Sequence, residues 1–296
     1  MTRFSLLLLT ATLFGSAALA AESTPSPSGT MPMWELKLPG GGSIFLVGSI
    51  HMLKPDAYPL PEAMEAAYTA SPELWFETDM EALKNPESQM KLMELGIYND
   101  GTTIKDHISP ETYEKLTAFL QEQGVPAQML MRFKPWMIAL TLSVMAMQQL
   151  GYEPQYGLDQ YFTDKAAEAG KPTAGLEEAM FQINLLASFS EYDDEAFLLK
   201  TIEELAEMET VMTRMNTAWK TGAMDDLSAL MNESFDQFPE IAEKLLYARN
   251  RDWAEKIDAM VKSGKPAMIV VGAGHLAGKE SVIELLAAKG HQFIQR

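Results

Sequence analysis

Four histidines occur in the 296 residues, and two of them stand in the same setting. His51 ends the run Ile44–His51, IFLVGSIH, and His275 ends Met268–His275, MIVVGAGH. Both read apolar-Val-Gly-x-x-His, although the two histidines are 224 positions apart (275 − 51). Two further strand candidates end in carboxylates: Pro72–Asp79, apolar at its centre, carries Glu77, and Lys171–Glu177 ends on Glu177. In open α/β sheets, ligands collect beyond the carboxyl ends of the strands. If these four runs are neighbouring parallel strands, two imidazoles and two carboxylates converge at one edge. Two neutral imidazoles with a carboxylate oxygen suit Zn²⁺, Mn²⁺, Fe²⁺ or Co²⁺. A metal held there would acidify a bound water, and a spare carboxylate would serve as general base. The plain alternative is that each histidine caps its strand and bonds backbone. Glycine suits both corners, because it tolerates positive φ and close backbone approach.

Arg249 and Trp253 are four apart on one long helical segment and share a face. An arginine packed on an aromatic and aimed at a carboxylate would clamp negative charge on a substrate or transition state. A surface ion pair is the alternative. Ser49, close to His51, is a candidate nucleophile, set against the alternation by which successive strand residues point to opposite faces. His107, just before a helix cap, and His291, after Gly290, look structural or solvent-facing.

Several other chemistries are excluded. The chain has no cysteine, so thiolate metal sites, cysteine nucleophiles and disulfides are absent. Pro39-Gly40-Gly41-Gly42 lacks the Lys and Ser/Thr of a phosphate loop and reads as a turn. Gly272-Ala273-Gly274-x-x-x-Gly278 follows a strand, but the acidic residue that a dinucleotide site needs ~20 positions on is missing. There is no H-E-x-x-H helix and no G-x-S-x-G elbow. With 23 Lys+Arg against 41 Asp+Glu the net charge is −18. Nucleic acid and anionic membrane surfaces are therefore poor partners.

The elements that must position these residues follow from the hydrophobic pattern. Residues 1–20 have a short basic start, a largely apolar stretch and an Ala18-Leu19-Ala20 exit, and read as a signal peptide. Its removal takes Arg3 and moves the charge from −18 to −19. A periplasmic or secreted protein is expected, with a polar linker at 21–32 and a single domain at 33–296. Met33–Leu38 and Ser43–Val47 suggest an opening hairpin. Helices are expected at Pro61–Ala70, Glu81–Leu95, after the Ser109-Pro110 cap, at Trp136–Leu150, at Leu158–Ala169, and over 178–189, 194–220, 224–232 and 239–263. Trp136–Leu150 is too short to span a bilayer; it suits a buried helix or a dimer surface. Pro266–Val271 is a strand, Lys279–Ala288 a helix and His291–Ile294 a terminal strand. Strands thus cluster at both ends of the chain. The expected fold is α/β, a central mixed sheet of N- and C-terminal strands with a large helical insertion at about 109–263.

The residues also match a known pattern. In order, the chain carries W-E-L-K-L, F-L-V-G-S-I-H, L-W-F-E-T-D, G-L-D-x-Y-F, K-P-x-x-G-L-E, R-N-x-x-W and V-V-G-A-G-H-L-x-G. This set, over about 33–295, resembles the TraB/GumN family of exported bacterial proteins. It is similar, more distantly, to the Tiki metalloproteases of animals and to the pheromone-shutdown protein PrgY. The resemblance implies a divalent-metal-dependent peptidase, with Mn, Co or Zn at His51, His275 and Glu77. It implies further roles for Glu177 and Arg249, a peptide or small-molecule substrate, and a fold akin to the erythromycin-esterase and ChaN-like group. A non-catalytic protein that binds a peptide or a haem-like ligand, and a homodimer, are the other expectations.

Overall fold

The computed structural model describes residues 31–191, 194–235 and 239–296. The signal peptide expected at 1–20 and nearly all of the linker lie outside the described residues. β1 (Met33–Lys37) and β2 (Ser43–Ser49) form the expected hairpin. Then come α1 (Glu62–Ala70), β3 (Leu74–Thr78), α2 (Met80–Lys84), α3 (Pro86–Gly96), α4 (Pro110–Glu122), α5 (Pro135–Gln149) and α6 (Leu158–Ala169). β4 (Thr173–Glu177) returns to the sheet. It is followed by α7 (Ala179–Ala187), α8 (Asp194–Leu205), α9 (Met208–Thr221), α10 (Met224–Phe235), α11 (Pro239–Ala242) and α12 (Ala248–Ser263). β5 (Ala267–Gly272), α13 (Val282–Ala288) and β6 (Ile294–Gln295) complete the order.

The sheet has six strands in the order β4-β3-β5-β2-β1-β6. β2, β5, β3 and β4 are parallel; beside them β1 is antiparallel to β2, and β6 at the edge is antiparallel to β1. The fold is therefore α/β with a mixed sheet, as the pattern of strands implies. β2 and β5 are buried along their whole length, which is why IFLV and MIVV are continuous apolar runs rather than alternating ones. Alternate residues serve two cores. Phe45, Val47, Phe76, Met268 and Val270 face the helical region. Ile44, Leu46, Ile269 and Val271 face Trp253, Ile257, Val282 and Leu286 of α12 and α13. Each layer buries one side of the same strands, so the carboxyl ends are held from both sides.

α5 is apolar around its circumference, the mark of a helix inside a protein. Ten of its fifteen residues are buried, and its apolar side chains are covered from within the chain, by α8 and α9. Among the described residues no helix is long and apolar enough to cross a membrane.

Local chemistry accounts for where the elements differ from expectation. The single helix expected over Glu81–Leu95 is two. Pro86 cannot donate a backbone hydrogen bond, and Asn85 Oδ1 accepts from Ser88 N–H at 2.8 Å, so a new helix starts there. The helix expected from Lys279 begins later, after Ser281, whose hydroxyl accepts from Glu284 N–H at 3.2 Å. Ser109 and Pro110 open α4 as expected, Ser109 Oγ accepting from Thr112 N–H at 3.2 Å.

Candidate functional site

The parallel strands leave the sheet side by side, with Ser49 paired to Gly272 and Thr78 to Glu177. The pairing corrects one detail of the motif comparison. Gly48 lies opposite Val271, not Gly272, so the two Gly-x-x-His segments are offset by one residue. Gly48 is also not the corner. It is inside β2, and the chain turns only after Ser49. Its requirement is space: a Cβ there would lie 3.1 Å from Ala273 Cα and Cβ and 3.2 Å from Pro32 Cβ. The glycine lets the two histidine-bearing segments touch.

All five candidate residues meet. Glu77 Oε1 is 4.0 Å from His51 Nε2 and 3.7 Å from His275 Nε2. The same oxygen accepts Gly272 N–H at 2.8 Å. Gly272 keeps this space open, since a Cβ there would be 3.0 Å from Glu77 Oε1, 3.5 Å from His275 Cδ2 and 3.8 Å from His51 Nε2. The other oxygen, Glu77 Oε2, accepts Arg249 Nη2 at 2.6 Å.

Arg249 is the spine of the site. Its Nη2 also donates to Glu177 Oε1 at 2.6 Å, and its Nε donates to the Glu177 carboxylate at 3.1 Å. Its Nη1 faces Leu245 O at 2.9 Å and His275 Nε2 at 3.3 Å. All five guanidinium N–H groups are thus directed at protein acceptors. Leu245 lies in a π-helical turn, Glu243–Tyr247, in which Ala248 N–H reaches back to Glu243 O. The Trp253 ring lies 4.6 Å from the guanidinium carbon and 4.3 Å from the His275 ring, and its Nε1 donates to Glu177 Oε2 at 3.2 Å. Arg249 is only 6 % exposed, which rules out the surface ion pair.

The ring nitrogens facing away from Glu77 are held too. His51 Nδ1 lies 2.6 Å from Asp159 Oδ2. His275 Nδ1 lies 2.6 Å from Asn250 Oδ1, and the Asn250 amide is oriented by its Nδ2 donating to Glu280 O at 2.8 Å. Both Nδ1 atoms therefore donate, and in the neutral rings both Nε2 lone pairs face the Glu77 side.

Charge follows from these contacts. Burial lowers the affinity of His51 for a proton, but the Asp159 and Glu77 carboxylates outweigh it and raise its pKa to about 9. Burial, with Arg249 and His51 nearby, lowers His275 to about 3 despite Glu77. Burial pushes Glu77 up, but Arg249 above all holds it far below the usual carboxylate range. Glu177 moves the other way: burial raises it, and Arg249 only partly compensates. Two carboxylates, Glu77 and Glu177, face the one buried guanidinium and a third, Asp159, faces His51, so the formal charge is negative even with His51 protonated.

The divalent ion implied by the resemblance can be set against this donor set. The types fit: two Nε2 lone pairs, one carboxylate oxygen, outer partners on both Nδ1 atoms, and a deficit of positive charge. The spacing is open. Ligands around an ion with ~2.1 Å bonds sit roughly 3.0–3.4 Å apart, and here the separations from Glu77 Oε1 are 3.7 and 4.0 Å. Among the described residues, no group of three or more His, Asp or Glu side chains is already drawn together at metal-holding distances.

Other candidates sit elsewhere. Ser49 Oγ donates to Asp159 Oδ1 at 2.9 Å, while His51 points Nδ1 at the same carboxylate, so no serine–histidine pair forms. His107 stacks on Tyr98 and meets Thr102, and His291 meets Asp258. Sequence reasoning assigned no role to Asp159, Asn250 or Gln182. Asp159 and Asn250 lie inside quoted motifs, G-L-D-x-Y-F and R-N-x-x-W. Gln182, whose Nε2 meets Glu177 at 2.9 Å and Glu77 at 3.3 Å, carries no motif at all.

Known proteins match the same span. The chain is 26 % identical over 257 residues to the uncharacterized protein YbaP of Escherichia coli (strain K12), covering 87 % of this chain and 92 % of that one. The Shigella flexneri protein of that name matches equally, at 26 % over 257 residues. No solved structure matches. The model of the TraB/PrgY/gumN family matches residues 32–294, nearly all of the described chain and every motif of the site, and the chain belongs to that family.

Proposed function

We propose that the protein is an exported metal-dependent hydrolase that cleaves amide bonds in peptides. The observation that carries this reading is the approach of His51 Nε2 and His275 Nε2 to one oxygen of Glu77, beside a buried arginine. His51, His275 and Glu77 would hold a Mn²⁺, Co²⁺ or Zn²⁺ ion. When bound, such an ion polarises a carbonyl and lowers the pKa of water toward neutrality. Peptide as substrate rests on the likeness to the Tiki metalloproteases, and export on the residues at 1–20.

The protein's own groups divide the remaining work. The two glutamates are pushed in opposite directions, the usual sign of different roles. Glu77, held ionised by Arg249, suits a ligand. Glu177, raised by burial, is the better proton acceptor for an attacking water. Arg249 fixes both and supplies positive charge where an oxyanion would form. Of its contacts the one to His275, at 3.3 Å, is the longest and the one a substrate oxygen would take over. His51 is the most exposed member, its side chain 15 % accessible against 6–9 % for Glu77, Glu177, Arg249 and His275, so substrate would enter on its side.

The test is cleavage of a peptide library by metal-stripped protein reloaded with Mn²⁺, Co²⁺ or Zn²⁺, alongside His51→Ala and His275→Ala. Metal-dependent cleavage lost in both variants is expected. Metal binding without turnover on any peptide would leave a binding protein instead.

A further inference from the structure

The two Gly-x-x-His segments look alike in sequence, yet the structure backs them differently. His275 leans on a neutral amide, Asn250, from α12. His51 leans on a carboxylate, Asp159, from the first turn of α6, 108 residues away. Asp159 is 3 % exposed, and both its oxygens are spent on the same segment, Oδ2 on His51 Nδ1 at 2.6 Å and Oδ1 on Ser49 Oγ at 2.9 Å.

The backbone around Asp159 is docked on that segment as well. Leu158 N–H donates to Ile50 O at 3.1 Å. Gly157 lies flat against His51 O, so close that a Cβ there would be 2.0 Å from that oxygen. On the other side Trp219 Nε1, from α9, donates to Gly48 O at 2.7 Å. Every residue of Gly48-Ser49-Ile50-His51 is therefore bonded to the helical region, and only the contact through Asp159 reaches the ring.

We infer that Asp159 is the positioning residue of the site, turning the His51 imidazole so that Nε2 faces Glu77 Oε1 and tying that orientation to the docking of α6. A carboxylate only accepts, so it holds the proton on Nδ1 and leaves Nε2 for a ligand. Ser49 is an auxiliary: its hydroxyl fixes the second oxygen and so the plane of the carboxylate. The inference rests on the proposed ligand role of His51, but its geometry does not depend on that role.

The experiment uses the mature protein labelled at its histidine ring nitrogens. In the wild type a His51 Nδ1 proton is expected far downfield and slow to exchange, assigned by its loss in His51→Gln. Asp159→Asn should lose it while the His275 Nδ1 signal stays, and Co²⁺ affinity should fall about 10–100-fold. Ser49→Ala, which removes only one hydroxyl, should keep the signal, with a smaller loss of Co²⁺ affinity. A wild type without a hydrogen-bonded His51 Nδ1 proton overturns the inference, whether or not the variants fold. So does an Asp159→Asn protein that binds Co²⁺ as tightly as wild type. A wild type that shows the proton but binds no Co²⁺ upholds the positioning role and removes the metal from the proposed function.

Discussion

Replacing Arg249 by methionine tests the organisation of the site through stability. The substitution keeps a long unbranched chain but removes a guanidinium that touches Glu77, Glu177, His275 and Leu245 O. Glu77 and Glu177 then remain buried, with side chains 9 % and 7 % accessible and no counter-charge between them. Removing one partner of a buried ion pair costs about 3–5 kcal/mol, and here two carboxylates share the partner. The loss should therefore reach at least the lower end, roughly 6–20 °C in melting temperature for a chain of this size. The sign of its pH dependence follows from the shifts. In the wild type the folded pKa of Glu77 is depressed, so its stabilisation is present above the ordinary value of 4.5 and lost as pH falls through the folded value. In the variant burial, the largest influence on both carboxyls, is opposed only by the lesser contacts that remain, Gly272 N–H and His51 at Glu77 and Gln182 at Glu177, so both move upward from their wild-type values and the stabilisation above that ordinary value is lost. The gap between the proteins should be widest at neutral pH and narrow steadily as pH falls toward the low folded value of Glu77. Urea unfolding of chelator-treated protein across pH 3–8 measures this. A deficit below about 1 kcal/mol, flat across that range, would refute the buried network. Lysine at 249 should rescue little, since one ammonium cannot reproduce a five-donor fork.

Other consequences are separable. His51 holds its proton to about pH 9, so metal binding at neutral pH must expel that proton. Apparent affinity should rise about tenfold per pH unit from 7 toward 9, with one proton released in calorimetry across buffers of different ionisation enthalpy; a flat profile would contradict the assignment. Glu77→Gln should abolish metal binding, whereas Glu177→Gln should retain metal but lower kcat by about 10²–10⁴. The reverse pattern in equilibrium dialysis and steady-state kinetics would exchange the two roles. Gly48→Ala forces a Cβ to 3.1 Å from Ala273 Cα and should cost about 1–3 kcal/mol. Gly40→Ala, with nothing within 4 Å, should stay within about 0.5 kcal/mol.

The sheet was legible because buried parallel strands leave continuous apolar runs, and IFLV and MIVV each ended at a chemically distinctive residue. The same logic brought His51, Glu77, Glu177 and His275 to one edge, and a four-residue helical spacing put Arg249 on Trp253. Three features were not legible, for physical reasons. The one-residue offset between Gly48 and Gly272 is set by the register of strands distant in sequence, which no local pattern encodes. Asp159 and Gln182 reach the site from helices whose docking depends on the whole helical region. The π-turn before Arg249 leaves no trace in EKLLY, a good helix sequence, yet it contains Leu245, whose carbonyl accepts from the guanidinium. The break at Asn85-Pro86, by contrast, is readable from the proline alone.

The claim at the centre is that His51, His275 and Glu77 form one ligand set. Anomalous diffraction from crystals of the mature protein soaked in Zn²⁺ tests it directly. A single strong peak within about 2.3 Å of His51 Nε2, His275 Nε2 and a Glu77 oxygen is the predicted result, with Arg249 Nη1 drawn off His275. No peak there, or zinc bound elsewhere while Arg249 keeps its hold on His275 Nε2, would contradict it.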